Sequence, residues 1–176
     1  MLNAIINFFK SLNNNSHPGE IAHAASIGVL LGFLPKDNAL WYILFIFFLF
    51  VRINKAVYLL VILGIGTFAF SLDNLFDKIG YAVLTFEKLT PIFSSLLETP
   101  FVAFTNFNNT IVMGSLVFGI LAYFPVYLLA RLFVKLWRST LAPKISSLKI
   151  WQAIKKLPFV NKIFSVSEKI SEVTKR

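Results

Sequence analysis

The side chains able to do chemistry in this sequence fall into three small groups. Glu20 and His23 stand about one helical turn apart. A carboxylate and an imidazole at that spacing can relay protons or hold a cation. Lys36, Asp37 and Asn38 directly follow Pro35 and form a polar tip between two apolar stretches. Ionisable groups at membrane depth mark pathways, so both sets are candidates for a polar route. Each has a plainer reading too. Pro18 fits a first helical turn, which places Glu20 where a carboxylate satisfies free backbone N–H groups and the helix dipole. Lys36 beside Asp37 leaves the tip nearly neutral.

The third group is geometric. Ala24, Gly28 and Gly32 are four residues apart and share one helical face with Glu20. In lipid, small residues at this spacing let two backbones approach closely. The face either packs on a helix of the same chain or receives a helix from a partner.

Other chemistries lack their parts. There is no cysteine, and His17 and His23 are the only histidines. A zinc site takes three or four ligands, so no metal is expected. The sequence has no Walker A loop, GxSxG, HExxH or GxGxxG. No catalytic residue, no cofactor and no enzymatic activity are expected.

The elements that must position these residues are greasy. Hydrophobic residues make up 57% of the chain, and charged residues only 14%. Soluble domains are about 45–50% apolar and about 25% charged, so a single small soluble core is excluded. The expected class is all-α and integral to a membrane, with three to four transmembrane or re-entrant helices plus interfacial amphipathic helices. Four apolar stretches carry it: Ile21–Pro35, Ala39–Val51, Ala56–Leu72 and Thr110–Ala130. The last is long enough to span, since a span takes about 20 residues. The first two cover only about 20–23 Å each. They form either two thinned spans or one re-entrant hairpin tipped by Pro35–Asn38.

Charge assigns the sides. The net charge is +9, and the basic residues crowd the tail after the last stretch. That pattern follows the positive-inside rule rather than any affinity for nucleic acid. The tail, the Arg52–Lys55 link and the N-terminus are therefore expected in the cytoplasm, and 73–109 on the outer side. The organisation reads as an interfacial helix over 1–16, a multi-pass inner-membrane domain over 17–137, and a basic amphipathic tail over 138–176. Leu75, Phe76, Ile79, Val83 and Phe86 recur at helical spacing, so 73–109 is expected to hold amphipathic helices on the outer surface. Pro91 opens a second short one. In the tail, Lys149, Lys155, Lys156 and Lys162 are placed to meet anionic lipid.

Three segments resemble a known family. They are His17-Pro18-Gly19-Glu20-Ile21-Ala22, the run Ile27–Pro35, and Val51-Arg52-Ile53-Asn54-Lys55. They are similar to the "domain of unknown function 2062" family of bacterial membrane proteins, over about residues 16–80. The chain departs from that pattern at Lys36-Asp37-Asn38 and at Asp73-Asn74. Phe107-Asn108-Asn109-Thr110 looks like a small subgroup often encoded beside a larger envelope protein. The family brings no activity to carry over. The expected function is a non-enzymatic inner-membrane subunit that docks or anchors a larger envelope protein with a transmembrane anchor, in lipid transport or envelope biogenesis; the lipid part is what the resemblance and the outer-surface amphipathic helix imply. Membrane lipids are the other expected partner, and Ala24, Gly28 and Gly32 the expected docking face. The alternative is a small transporter or channel working through the Pro35–Asn38 tip, with Glu20 and His23 at its entrance.

Overall fold

The computed structural model describes residues 17–141. Residues 1–16 and the tail with Lys149, Lys155, Lys156 and Lys162 lie outside the described residues. All regular elements among the described residues are helical. They are α1 (Pro18–Phe33), α2 (Ala39–Phe50), α3 (Lys55–Gly66), α4 (Asp73–Leu84), α5 (Thr90–Leu97) and α6 (Thr110–Leu136). Short 3₁₀ turns cover Ala69–Leu72 and Val102–Thr105, and a π-helical turn covers Trp137–Leu141.

Local chemistry sets the boundaries. Pro18 opens α1 and Pro91 lies in the first turn of α5, since a fixed φ and a missing N–H cost nothing there. Asn38 caps α2: its Oδ1 accepts from the Trp41 N–H at 2.9 Å, and its Nδ2 donates to the Pro35 carbonyl at 2.8 Å. Asn54 caps α3 through the Val57 N–H at 3.0 Å. Beyond Pro100, Phe101 and Asn106 take φ of 70° and 51° on either side of the Val102–Thr105 turn. α6 continues through Pro125 without a break in its helical run.

Asn38 is 3% exposed. Its two bonds bind the tip to the start of α2. Asn38→Ala is expected to cost about 1–2 kcal/mol, read as a lower melting temperature in detergent.

Packing joins α1, α3, α4 and α6. Gly28 and Gly32 of α1 meet Val61 and Ile65 of α3 in the same order, so the two helices run parallel. At their other end the Asn54 N–H donates to the Glu20 carbonyl at 3.4 Å. α6 runs antiparallel to α1: His23 meets Tyr123, Leu30 meets Gly119, and Phe33 meets Phe118. α4 crosses α6 where Gly80 faces Thr110 and Gly114 faces Phe76. Three phenylalanines from three helices close the centre: Phe33, Phe76 and Phe118 have ring centroids 5.4–5.6 Å apart. Trp41 is drawn inward, its indole N–H donating to the Leu31 carbonyl at 2.9 Å.

The segment 73–109 is helical where helices were expected, but α4 does not lie free. It buries Phe76 and Gly80 against α6 and leaves Leu75 42% exposed. The reason is the glycine pair, which lets the two backbones touch. α3 and the helical run Ala69–Leu84 meet at a bend of 57°. Together they are apolar enough for one broken span or a re-entrant loop, and the run Thr110–Thr140 is long and apolar enough to cross a membrane by itself.

Candidate functional site

Four helix ends converge on one cavity of about 350 Å³. Gly32 and Phe33 come from the end of α1, Gly66 from the end of α3, Asp73 from the start of α4, and Ile111 and Val112 from the start of α6. The tip residues Lys36 and Asp37 line it too, as do Asn106 and Asn109 of the loop before α6.

The field inside is mixed by construction. Two helix C-termini present partial negative charge and two N-termini partial positive charge. The Lys36 amine lies at the C-terminal end of α3, where a Cβ on Gly66 would stand 2.6 Å from Nζ. A cation is favoured at that end of a helix. Asp73 lies in the first turn of α4, the favoured place for a carboxylate. Asn109 Oδ1 accepts from the N–H groups of Ile111 and Val112 at 2.9 and 3.2 Å, capping α6. Next to the cavity, Thr110 donates its hydroxyl to Asp77 and ties α6 to α4.

Lys36, Asp37 and Asp73 form no ion pair and no side-chain hydrogen bond among the described residues. Nor do the described residues assemble three or more metal-ligating side chains in one group. The cavity offers side-chain charge of both signs, with Lys36 and Asp37 exposed to solvent and Asp73 half-buried.

The other sequence candidates lie elsewhere. Asn38 is not a pathway group, because capping α2 occupies both ends of its amide. Glu20 and His23 sit at the opposite end of α1, about 20 Å from the tip along the helix. They also diverge. Glu20 pairs with Arg52 of the α2–α3 turn at 3.0 Å. His23 Nδ1 lies 2.6 Å from the Tyr123 hydroxyl, and its ring sits 4.6 Å from that of Tyr127. Tyr127 in turn accepts from Arg131 at 3.5 Å. A single route through Glu20, His23 and the tip is therefore not assembled. The Arg52 side chain is 89% exposed, so Arg52→Ala is expected to change stability by less than about 1 kcal/mol, measured by thermal unfolding in detergent.

The small-residue face is filled from within. A Cβ on Gly28 would stand 2.8 Å from Val61 Cβ, and one on Gly32 2.7 Å from Ile65 Cβ. Ala24 on the same face is fully buried. The face serves helix packing; as a docking groove it is closed, because α3 occupies it.

Sequence reading missed the carboxylate of Asp73 and the amides of Asn106 and Asn109 as cavity groups. All three fall within the stretch 73–109, which is expected on the outer side with no part in a site. It also passed over Gly80. The available signal was the four-residue spacing of Phe76 to Gly80 and of Thr110 to Gly114, which matches the crossing.

Among the described residues, fold and site together define an all-helical protein with one unbroken helix long and apolar enough to span a membrane and a mixed-charge cavity at that helix's N-terminal end. Residues 7–141 match the family described as "Uncharacterized protein conserved in bacteria (DUF2062)". The chain belongs to that family. It is also 38% identical over 158 residues to an uncharacterized protein of Treponema pallidum (strain Nichols), covering 90% of this chain and 98% of that one. No solved structure matches it.

Proposed function

We propose that this is a multi-pass inner-membrane protein without catalytic activity that serves as the membrane subunit of a larger envelope protein, in lipid transport or envelope biogenesis. The observation that carries the reading is the apolar surface. Only 28% of the most apolar part of the Thr110–Thr140 run is buried in the protein. A core helix of a soluble protein would be mostly covered. α2 adds to this surface: Phe47 is 59% and Phe50 85% exposed.

Geometry supports two thinned spans over a shallow hairpin for α1 and α2. The tip reaches the level of the α6 N-terminus, while Gly19 and His23 reach Tyr127 and Tyr123. α1 thus runs beside α6 for about 24 Å. The basic link at Arg52 then faces the cytoplasm with both termini, and the cavity opens on the outer side.

With the glycine face closed, the partner's anchor is assigned to α6. Leu121, Phe124, Leu128 and Leu132 share one of its faces and are 44–69% exposed. Mild-detergent extraction of tagged protein at native expression, followed by mass spectrometry, tests this. A large envelope protein recovered at constant ratio is the expected result. Recovery of the chain alone or as a homo-oligomer overturns the subunit reading.

The cavity favours a second reading, a small transporter working through the tip. Under that reading, flux into liposomes is lost in Asp37→Ala and retained in Glu20→Gln, since Glu20 lies far from the cavity.

A further inference from the structure

We infer that the cavity at the α1–α2 tip is a binding site for a zwitterionic phosphate ester, in which a primary ammonium lies two carbons from a phosphodiester. The inference rests on the membrane reading above and goes beyond it by naming a ligand. Three features of the cavity support it.

The first is a lining that carries charge of both signs without an ion pair. Lys36, Asp37 and Asp73 line one space of about 350 Å³, yet none is paired with another. An anion alone would leave the two carboxylates facing it. A bare cation would face Lys36. A zwitterion satisfies both, with the phosphate toward Lys36 and the ammonium toward Asp37 and Asp73.

The second is the backbone. The ends of α1 and α3 offer partial negative charge and the starts of α4 and α6 partial positive charge to the same space. A dipolar headgroup fits that arrangement better than a charge of one sign. Asn106 adds a neutral amide able to donate and accept.

The third is the rest of the lining. Phe33, Phe70 and Ile111 form an apolar part of the wall, and Phe70 is 71% exposed. Such a border continues into the hydrocarbon of a membrane leaflet. The ligand is then ethanolamine phospholipid drawn from the bilayer, with its headgroup in the cavity and its chains along the protein.

The test uses the purified full-length chain in a non-ionic detergent. Native mass spectrometry follows titration with phosphatidylethanolamine, phosphatidylcholine or phosphatidylglycerol. Choline lacks N–H donors for the carboxylates, and glycerol lacks the cation. One phosphatidylethanolamine is expected to be retained about tenfold better than either of the others. Lys36→Ala and Asp37→Asn are each expected to reduce that preference about tenfold, because neither side chain supports the fold through a hydrogen bond. Glu20→Gln, at the far end of α1, should leave it unchanged. Soluble glycerophosphoethanolamine separates the sources. Competition only at a large excess assigns the bilayer lipid, and competition at equal concentration assigns a free headgroup ester. Equal retention of the three lipids overturns the inference, as does a preference that survives both Lys36→Ala and Asp37→Asn. Carbonate-washed membranes report on the membrane reading separately: a chain that stays with the pellet but shows no lipid preference loses the site alone.

Discussion

Gly80→Ala is expected to destabilise the protein by at least about 3 kcal/mol, and Gly80→Leu to prevent folding. Alanine is normally the better helix former, by about 1 kcal/mol over glycine. Here that gain is overwhelmed. A Cβ at Gly80 runs into the carbonyl of Thr110, and one at Gly114 into that of Phe76. Both obstacles are backbone and cannot rotate away. Relief requires separating α4 from α6, which also opens the ring cluster around Phe76, a fully buried side chain. Gly64 is the internal control. Nothing lies within 4 Å of a Cβ placed there, so Gly64→Ala should be neutral or stabilising by up to about 1 kcal/mol. Thermal unfolding of the three proteins in one detergent checks the contrast. Equal stability of Gly80→Ala and Gly64→Ala would contradict the crossing.

The paired substitution Gly28→Leu with Gly32→Leu is expected to abolish the folded state, not merely to release a partner. A Cβ at Gly28 would lie 2.8 Å from Val61 Cβ and 3.1 Å from the Tyr58 carbonyl; at Gly32 it would lie 2.7 Å from Ile65 Cβ. The nearest atoms are Cβ positions on a neighbouring helix, which yield little. Single alanines should each cost about 1–3 kcal/mol. Adding Ile65→Gly to Gly32→Ala removes the opposing Cβ and should restore part of the loss, whereas Ile65→Ala removes only the outer methyl overlap. Size-exclusion profiles in detergent read the outcome. A monodisperse double-leucine protein that has lost only a co-purifying partner would contradict the packing of α1 on α3.

Much of this architecture was legible from one dimension. The four apolar stretches correspond to α1, α2, α3 with the Ala69–Leu72 turn, and α6. Pro18 gave the start of α1 and Pro91 that of α5, because a proline in a first turn is local chemistry. The pairing of the Glu20 end with Arg52–Asn54 follows from charge and parity. What the sequence could not show was which faces meet. Gly28 and Gly32 announce a close contact, but spacing does not say whose helix makes it. Lys36 and Asp37 announce a polar tip, yet Asp73, Asn106 and Asn109 reach the same cavity from 36 or more positions away. Asn38 reads only as part of that polar tip, and its bonds to Trp41 and Pro35 make it a helix cap instead. The amphipathic period of α4 described an apolar face correctly but could not tell lipid from α6.

In the proposed topology α1 and α2 cross the membrane and place the cavity opposite the Arg52 link. The absence of native cysteine makes a direct test available. Single cysteines at Asp37, Arg52 and Asn108, all exposed, are treated with a membrane-impermeant maleimide in intact spheroplasts and again after permeabilisation. The expected result is labelling of the Asp37 and Asn108 variants in intact cells and of the Arg52 variant only after permeabilisation. Labelling of the Asp37 and Arg52 variants from the same side would contradict it.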